Sequence, residues 1–171
     1  MNRSRRITLF TVAGLIALAA GVGLALWDRQ PLDPRDLLAL SLPDTQGVKQ
    51  PLQQWRGKVL VVNFWATWCG PCREEMPEFV KAQRDLGPQG LQVIGIAIDQ
   101  PDKVARFAKE LDLNYPALIA GYETLDVAKP LGDRLLGLPF TVILDRQGQV
   151  AHTQLGPMKS AQFRAIVSGL L

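Results

Sequence analysis

The chain has 171 residues with 19 Lys or Arg, 16 Asp or Glu and a single His, which gives a formal net charge of +3 at pH 7. This length suits one ordinary domain with a short appendage. The excess positive charge comes from Arg3, Arg5 and Arg6, so basic and acidic residues balance from residue 28 onward. Nucleic acid is therefore disfavoured as a partner, because phosphate recognition needs clustered Lys and Arg.

Residues 7–27 follow these arginines and contain no charged side chain. As a helix they would rise about 31 Å, close to the ~30 Å hydrocarbon core of a bilayer. Flanking positive charge keeps residues 1–6 in the cytoplasm. We therefore predict a single-pass anchor at residues 7–27, with the remaining chain outside the cytoplasm. The alternative is a signal peptide cleaved at the small residues around Ala19 or Ala25, which also exports the domain.

A short proline-containing linker is predicted at residues 28–36, and a folded domain at residues 37–171. Residues 37–42 indicate a first edge strand. Residues 58–65, with the sequence KVLVVNFW, are apolar on both faces and predict a central strand that is buried on two sides. From residue 71 the apolar residues recur at steps of three and four, which predicts a helix that ends at Gly87-Pro88.

The second half of the chain alternates strands and helices. Further strands are predicted at residues 91–98, 115–119, 140–145 and 150–155, the last two as a hairpin. Further helices are predicted at residues 101–111, 124–131 and 160–170, with Asp99 and Ser160 as N-caps of the first and last. The pattern predicts a mixed α/β sheet with helices on both faces.

Both cysteines of the chain lie in one short motif, Trp68-Cys69-Gly70-Pro71-Cys72. A structural zinc site usually has four ligands, and the only histidine is His152, so zinc would have to recruit carboxylates; copper(I) on two thiolates stays open. A structural disulfide that spans only two intervening residues would remove almost no conformational entropy from the unfolded chain, so it would add little stability. A cysteine hydrolase would have only His152 as its base.

A redox role fits the predicted elements better. Cys69 lies at the start of the helix that follows the buried strand, where unpaired N–H groups and the helix dipole favour a thiolate. Cys72 lies one turn further and faces inward, within reach of Cys69. We predict that Cys69 is the attacking thiol and that Cys72 resolves the mixed disulfide.

The motif WCGPC after a VVNFWAT strand resembles the thioredoxin superfamily. The continuation REEMP, behind a predicted anchor, resembles its TlpA/ResA-like branch of exported bacterial thiol–disulfide oxidoreductases. The resemblance implies a thioredoxin-like fold and a domain that lies in the periplasm, anchored to the inner membrane by residues 7–27. It also implies protein thiol–disulfide oxidoreductase activity that uses the Cys69–Cys72 disulfide and no other cofactor.

The resemblance also implies roles for residues beyond the cysteines. Pro77 matches a proline within the first helix, and Leu138-Pro139 matches the cis-proline loop opposite the disulfide. The backbone of Leu138 would pair there with an extended client segment. Gly70 and Pro71 are expected to contact clients, as is Trp68, which we place at the surface and Trp65 in the core.

Two positions set this branch apart from cytoplasmic thioredoxin. Asn63 stands where thioredoxin has a buried aspartate, and Glu75 matches a glutamate of the TlpA/ResA-like branch. Glu75 lies three residues after Cys72 on the same helical face and is a candidate acceptor for the Cys72 proton. The alternative is a solvated glutamate that is favoured by the helix dipole. Phe140, where many relatives have threonine, is expected to line the substrate groove.

The Gly-Pro dipeptide between the cysteines is that of thioredoxin, which is reducing at about −270 mV. We therefore predict a reductant that receives electrons from a membrane thiol reductase. Its expected clients are disulfides in apocytochrome c or in copper-site assembly proteins, with a place in cytochrome c maturation. Two alternatives are a thiol peroxidase-like redoxin, which would consume peroxide, and a non-enzymatic copper or haem carrier, which would bind its cargo tightly without reductase activity.

Overall fold

The computed structural model of the chain describes residue 21 and residues 33–171. The predicted anchor at residues 7–27 therefore lies, apart from Gly21, outside the described residues. None of the helices in the described part of the chain is both long enough and apolar enough to cross a membrane.

Residues 33–171 contain four α-helices and seven strands. The helices are α1 (Arg35–Ala39), α2 (Gly70–Leu86), α3 (Pro101–Glu110) and α4 (Ser160–Ser168). The strands are β1 (Ser41–Pro43), β2 (Lys49–Pro51), β3 (Val59–Trp65), β4 (Leu91–Ile98), β5 (Ala117–Ala120), β6 (Phe140–Leu144) and β7 (Val150–Leu155). Short 3-10 segments lie at Leu52–Trp55, Gly87–Gln89 and Tyr122–Leu131.

The central sheet has five strands in the order β5-β4-β3-β6-β7. Strands β3, β4 and β5 are parallel, whereas β6 is antiparallel to both β3 and β7. Every residue of β3 and β4 is buried, as their continuous apolar sequences predict. Strands β1 and β2 form a separate antiparallel pair. The predicted mixed α/β sheet is confirmed.

Helices cover both faces of this sheet. On one face, side chains of α2, α3 and α4 form a core that includes Met76, Val104 and Phe163. On the other, α1 and the 3-10 segment Tyr122–Leu131 contribute Leu37 and Leu125 to a second core. The loop between β3 and α2, which carries Cys69, begins at the carboxyl end of the central strand.

Helix α2 is held against the sheet by one apolar face. Its buried residues recur at helical spacing: Cys72, Glu75, Met76, Phe79 and Ala82. The ring of Phe79 meets that of Phe163 on α4 edge to face, with centroids 5.0 Å apart. Burial of such rings contributes about 1.5–3 kcal/mol each, so the helix that starts at the disulfide is firmly anchored.

The predicted edge strand at residues 37–42 is wrong in its first half. Residues Arg35–Ala39 form helix α1, and β1 begins only at Ser41. The segment RDLLA consists largely of good helix formers, and Leu37 and Leu38 are both buried. The carboxylate of Asp33 also accepts a hydrogen bond from the N–H of Arg35 at the start of this helix.

Both predicted N-caps are wrong as well. Helix α3 starts after Gln100, and Asp99 uses its carboxylate elsewhere. Helix α4 starts after Lys159, with Ser160 as its first helical residue and no capping hydrogen bond from a side chain. The helix predicted at residues 124–131 is a 3-10 segment that begins earlier, at Tyr122. The predicted strand at residues 115–119 is shifted to Ala117–Ala120, because Pro116 offers no N–H to the ladder.

Candidate active site

Cys69 and Cys72 are joined by a disulfide at the N-terminus of α2, with an S–S distance of 2.04 Å and a Cα–Cα distance of 5.3 Å. Cys69 is the N-cap residue, and its Sγ accepts a hydrogen bond of 3.3 Å from the N–H of Cys72. Cys69 is 5% exposed and Cys72 is fully buried. The two cysteines therefore differ in exposure: only Cys69 borders the surface.

The surface around Cys69 is formed by the residues predicted to contact clients. Trp68 is 61% exposed, and Gly70 and Pro71 are exposed as well. Trp65, at the end of β3, is fully buried, as expected for a core indole. A client chain that approaches Cys69 therefore meets the indole of Trp68 and the exposed backbone around Gly70 and Pro71.

The loop that carries Trp68 and Cys69 is tied to the end of β4. The carboxylate of Asp99 accepts hydrogen bonds from both the N–H and the hydroxyl of Thr67, the former at 3.1 Å. Its other oxygen accepts from the N–H of Gln100 at 2.7 Å. Burial opposes ionisation, but these hydrogen bonds hold the pKa of Asp99 below its usual range. Asp99 thus fixes the loop instead of capping α3.

Glu75 lies inside the protein, one helical turn after Cys72. It is 7% exposed and accepts hydrogen bonds from Asn63 Nδ2 at 2.9 Å and from the N–H of Met158 at 3.1 Å. Burial raises the pKa of Glu75 to about 7, although both hydrogen bonds oppose the shift. The alternative of a solvated glutamate is therefore wrong. A carboxylate with such a pKa can gain or release a proton near neutral pH.

Asn63 connects Glu75 to the sheet. It is 1% exposed on β3, and its Nδ2 also donates to the hydroxyl of Thr141 on β6 at 3.0 Å. An asparagine within the apolar sequence of β3 signals a buried polar contact, but nothing in the sequence names Thr141 or Met158 as the other members. The register of β3 and β6, which places Asn63 opposite Thr141, supplies that link.

The peptide bond Leu138-Pro139 is cis, as expected. Pro139 is buried, Leu138 is half-buried against the core that contains both cysteines, and the carbonyl of Pro139 accepts from the N–H of Gly156 at 2.8 Å. The preceding loop is held by buried Asp133, which accepts from the N–H of Gly137 at 3.0 Å.

Phe140 does not line a groove, contrary to the sequence-based expectation. It is 1% exposed and packs against Phe64, with ring centroids 6.1 Å apart. As the first residue of β6 it pairs with Phe64 of β3 and points into the second core. Pro77 lies within α2, as predicted.

A mixed sheet with a Cys-x-x-Cys disulfide at a helix N-terminus defines a thioredoxin-like oxidoreductase, and comparison with known proteins agrees. The model of the family described as Redoxin matches residues 33–168. The chain belongs to this family. The predicted thioredoxin-like fold is confirmed.

Individual relatives narrow the class. The chain is 28% identical over 165 residues to the thiol-disulfide oxidoreductase ResA of Geobacillus kaustophilus, which covers 92% of each chain. It is 36% identical over 123 residues to the thioredoxin-like protein YneN of Bacillus subtilis, covering 69% of this chain and 68% of that one. The resemblance to the TlpA/ResA-like branch and the predicted enzyme class, thiol–disulfide oxidoreductase, are confirmed.

A solved structure agrees with this class. A thiol:disulfide interchange protein of the thioredoxin family from Chlorobium tepidum superposes with a TM-score of 0.70 at 31% identity. The match covers 77% of this chain and 92% of the other.

Proposed function

We propose that this oxidoreductase reduces client disulfides by attack from Cys69 and resolution by Cys72. The observation that carries this order is the difference in exposure between the two cysteine residues, 5% for Cys69 against 0% for Cys72. A client sulfur can approach Cys69 from solvent, whereas Cys72 is reached only from within the protein. The position of Cys69 at the N-cap of α2 favours its thiolate as the nucleophile.

The reaction balances with the groups of this chain and the client alone. In the reduced enzyme, the Cys69 thiolate attacks one client sulfur, forms a mixed disulfide and releases the other client sulfur as a thiolate. Cys72 then attacks the Cys69 sulfur, which frees the second client thiol and leaves the Cys69–Cys72 disulfide. Two electrons pass from the enzyme to the client, and no further cofactor takes part.

Cys72 must lose its proton before it attacks, and Glu75 is the proposed acceptor. It lies on the same buried face of α2, three residues further. With a pKa raised to about 7 by burial, the carboxylate is a stronger base than an exposed glutamate. Asn63 and the N–H of Met158 hold the carboxylate in place.

The client is proposed to bind as an extended segment across the cis-proline loop. The backbone of half-buried Leu138 would pair with that segment, and Trp68, Gly70 and Pro71 would contact it beside Cys69.

The proposed direction is reduction outside the cytoplasm. The Gly-Pro dipeptide is that of thioredoxin, at about −270 mV, not that of a strong oxidant near −120 mV. Residues 7–27 would anchor the domain to the outer face of a bacterial inner membrane, and a membrane thiol reductase would supply electrons. The proposed clients are disulfides of apocytochrome c or of copper-site assembly proteins.

Two measurements test this proposal. Cys72→Ser should accumulate mixed disulfides with clients, because the bound client can no longer be released, whereas Cys69→Ser should accumulate none. The reduction potential of the wild-type pair should lie well below −150 mV on the scale where thioredoxin is at about −270 mV. Trapping by the Cys69 variant would contradict the order of attack, and a potential above about −150 mV would contradict the direction.

A further inference from the structure

A groove of about 340 Å³ lies next to Trp68, the residue that precedes Cys69 in the chain. Trp68 forms one part of its wall, and the last residue of β5 together with Gly121 and Tyr122 forms another. The end of β4 and the start of α3 contribute Asp99 and Lys103. We call this feature the Trp68–Tyr122 groove.

Both walls present an exposed aromatic side chain. Tyr122 is 65% exposed and Trp68 is 61% exposed, and they are the only aromatic residues among the exposed large hydrophobic side chains of the described chain. Tyr and Trp are enriched in binding surfaces, where they supply large contact areas at low entropic cost. Two of them that line one groove, one of them adjacent in sequence to Cys69, form a site suited to an apolar side chain.

The groove is also preorganised. Asp99 holds the Trp68 wall through its hydrogen bonds to Thr67. On the other wall, Tyr122 opens a 3-10 segment that is anchored by buried Leu125 and by the hydrogen bond from the N–H of Thr124 to the carbonyl of Gly121 at 3.0 Å. Walls that are already ordered lose little conformational entropy when a ligand binds.

The lining of the groove carries no net formal charge. Its charged lining residues are Asp99 and Lys103, which form an ion pair with a distance of 3.9 Å. The Asp99 side chain is only 4% exposed, and its oxygens are engaged by Thr67 and Gln100. The accessible charge of the lining is therefore that of Lys103, which already has Asp99 as its partner, while the two exposed aromatic side chains favour an apolar client side chain.

We propose that the Trp68–Tyr122 groove binds an aromatic or large aliphatic side chain of the client that lies within one or two residues of the cysteine attacked by Cys69. This rests on the proposed function. Trp68 is the neighbour of Cys69, and an extended chain advances about 3.3–3.6 Å per residue. In a client joined to Cys69, a side chain one or two residues from the attacked cysteine can therefore reach the groove. The groove then selects clients by sequence, a role in which Tyr122 is the specificity-determining residue.

The test uses the reduced full-length protein and two synthetic peptides with an internal disulfide that differ only in Phe or Ser beside one cysteine. Tyr122→Ser should lower kcat/KM for the Phe peptide about tenfold, through KM, which corresponds to about 1.4 kcal/mol. For the Ser peptide, kcat/KM should change by less than about twofold in the same variant. Tyr122→Phe should restore kcat/KM for the Phe peptide. The rate of Tyr122→Ser with oxidised glutathione, which has no aromatic or large aliphatic side chain to place in the groove, should equal that of wild type.

Val48→Ser is the matched control, since Val48 is 54% exposed but lies just before β2 and outside the groove lining. It should leave both peptides unaffected. An equal loss for both peptides in Tyr122→Ser, or no loss for either, overturns the inference while leaving the proposed function intact. Self-association in sedimentation experiments that Tyr122→Ser abolishes would assign the groove to a second copy and also overturn it. If the wild type reduces neither peptide nor glutathione, the proposed function itself fails.

Discussion

Burial of Glu75 has a measurable thermodynamic consequence. Its pKa is raised from 4.5 to about 7 in the folded protein, mainly because burial disfavours the charged carboxylate. The folded state therefore keeps a proton that the unfolded state has already lost between these values. Because the folded state binds more protons in this window, the free energy of unfolding falls as pH rises from about 4.5 to about 7.

The size of the effect follows from the shift. One pKa unit corresponds to about 1.36 kcal/mol, so a shift from 4.5 to about 7 corresponds to about 3 kcal/mol across the window. This is a large fraction of the ~5–15 kcal/mol by which domains are stable. Glu75→Gln carries no titratable proton and should lose this dependence, while retaining an oxygen that can accept from Asn63.

The assay is urea unfolding of the oxidised protein between pH 4 and pH 8, followed by tryptophan fluorescence. The stability of wild type minus that of Glu75→Gln should fall by about 3 kcal/mol over this range. The control is Glu74→Gln, which changes an exposed glutamate of the same helix and should leave the pH dependence of wild type intact. Parallel curves for wild type and Glu75→Gln would refute the raised pKa and, with it, the argument for Glu75 as the base.

Two further predictions concern how the site is held. Asp99→Ala should destabilise the oxidised protein by about 1–3 kcal/mol in urea unfolding, because the donors of Thr67 lose their acceptor. As a control, Asp102→Ala, which changes an exposed residue, should alter the stability by no more than about 0.5 kcal/mol. Equal effects of the two substitutions would contradict the role of Asp99 in holding the Thr67 loop. Phe79→Ala should lower the free energy of unfolding by about 3–5 kcal/mol in the same assay, since it leaves a cavity against Phe163 on α4. A decrease below about 1 kcal/mol would show that this contact does not anchor α2.

The sequence predicted the parts of the fold whose signal is local. Strand β4 was expected at the residues it occupies, and β3 and α2 within one residue, because continuous apolar runs and helical spacing are properties of neighbouring residues. The cysteine motif likewise contains its own context: a strand before it and a helix start within it. The hairpin of β6 and β7 was also found from its turn.

The parts that were missed depend on contacts between distant residues. Asn63 reaches Thr141 across 78 positions, and Glu75 reaches the N–H of Met158 across 83. Asp99 was expected to cap the adjacent helix, but Thr67, 32 positions away, takes its carboxylate. A capping rule weighs only neighbours, so it fails where a tertiary partner competes for the same side chain.

The same burial that destabilises ionised Glu75 also makes it a better base. Desolvation costs the fold about 3 kcal/mol above pH 7, and it raises the proton affinity of the carboxylate by the same free energy. A substitution that relieves this desolvation cost must therefore also remove the basic carboxylate of Glu75. Glu75→Gln should gain stability relative to wild type as pH rises, and over the same range it should release mixed-disulfide clients more slowly, because Cys72 has lost its proton acceptor. A variant that gained the stability without slowing the release would show that the buried carboxylate serves the structure alone.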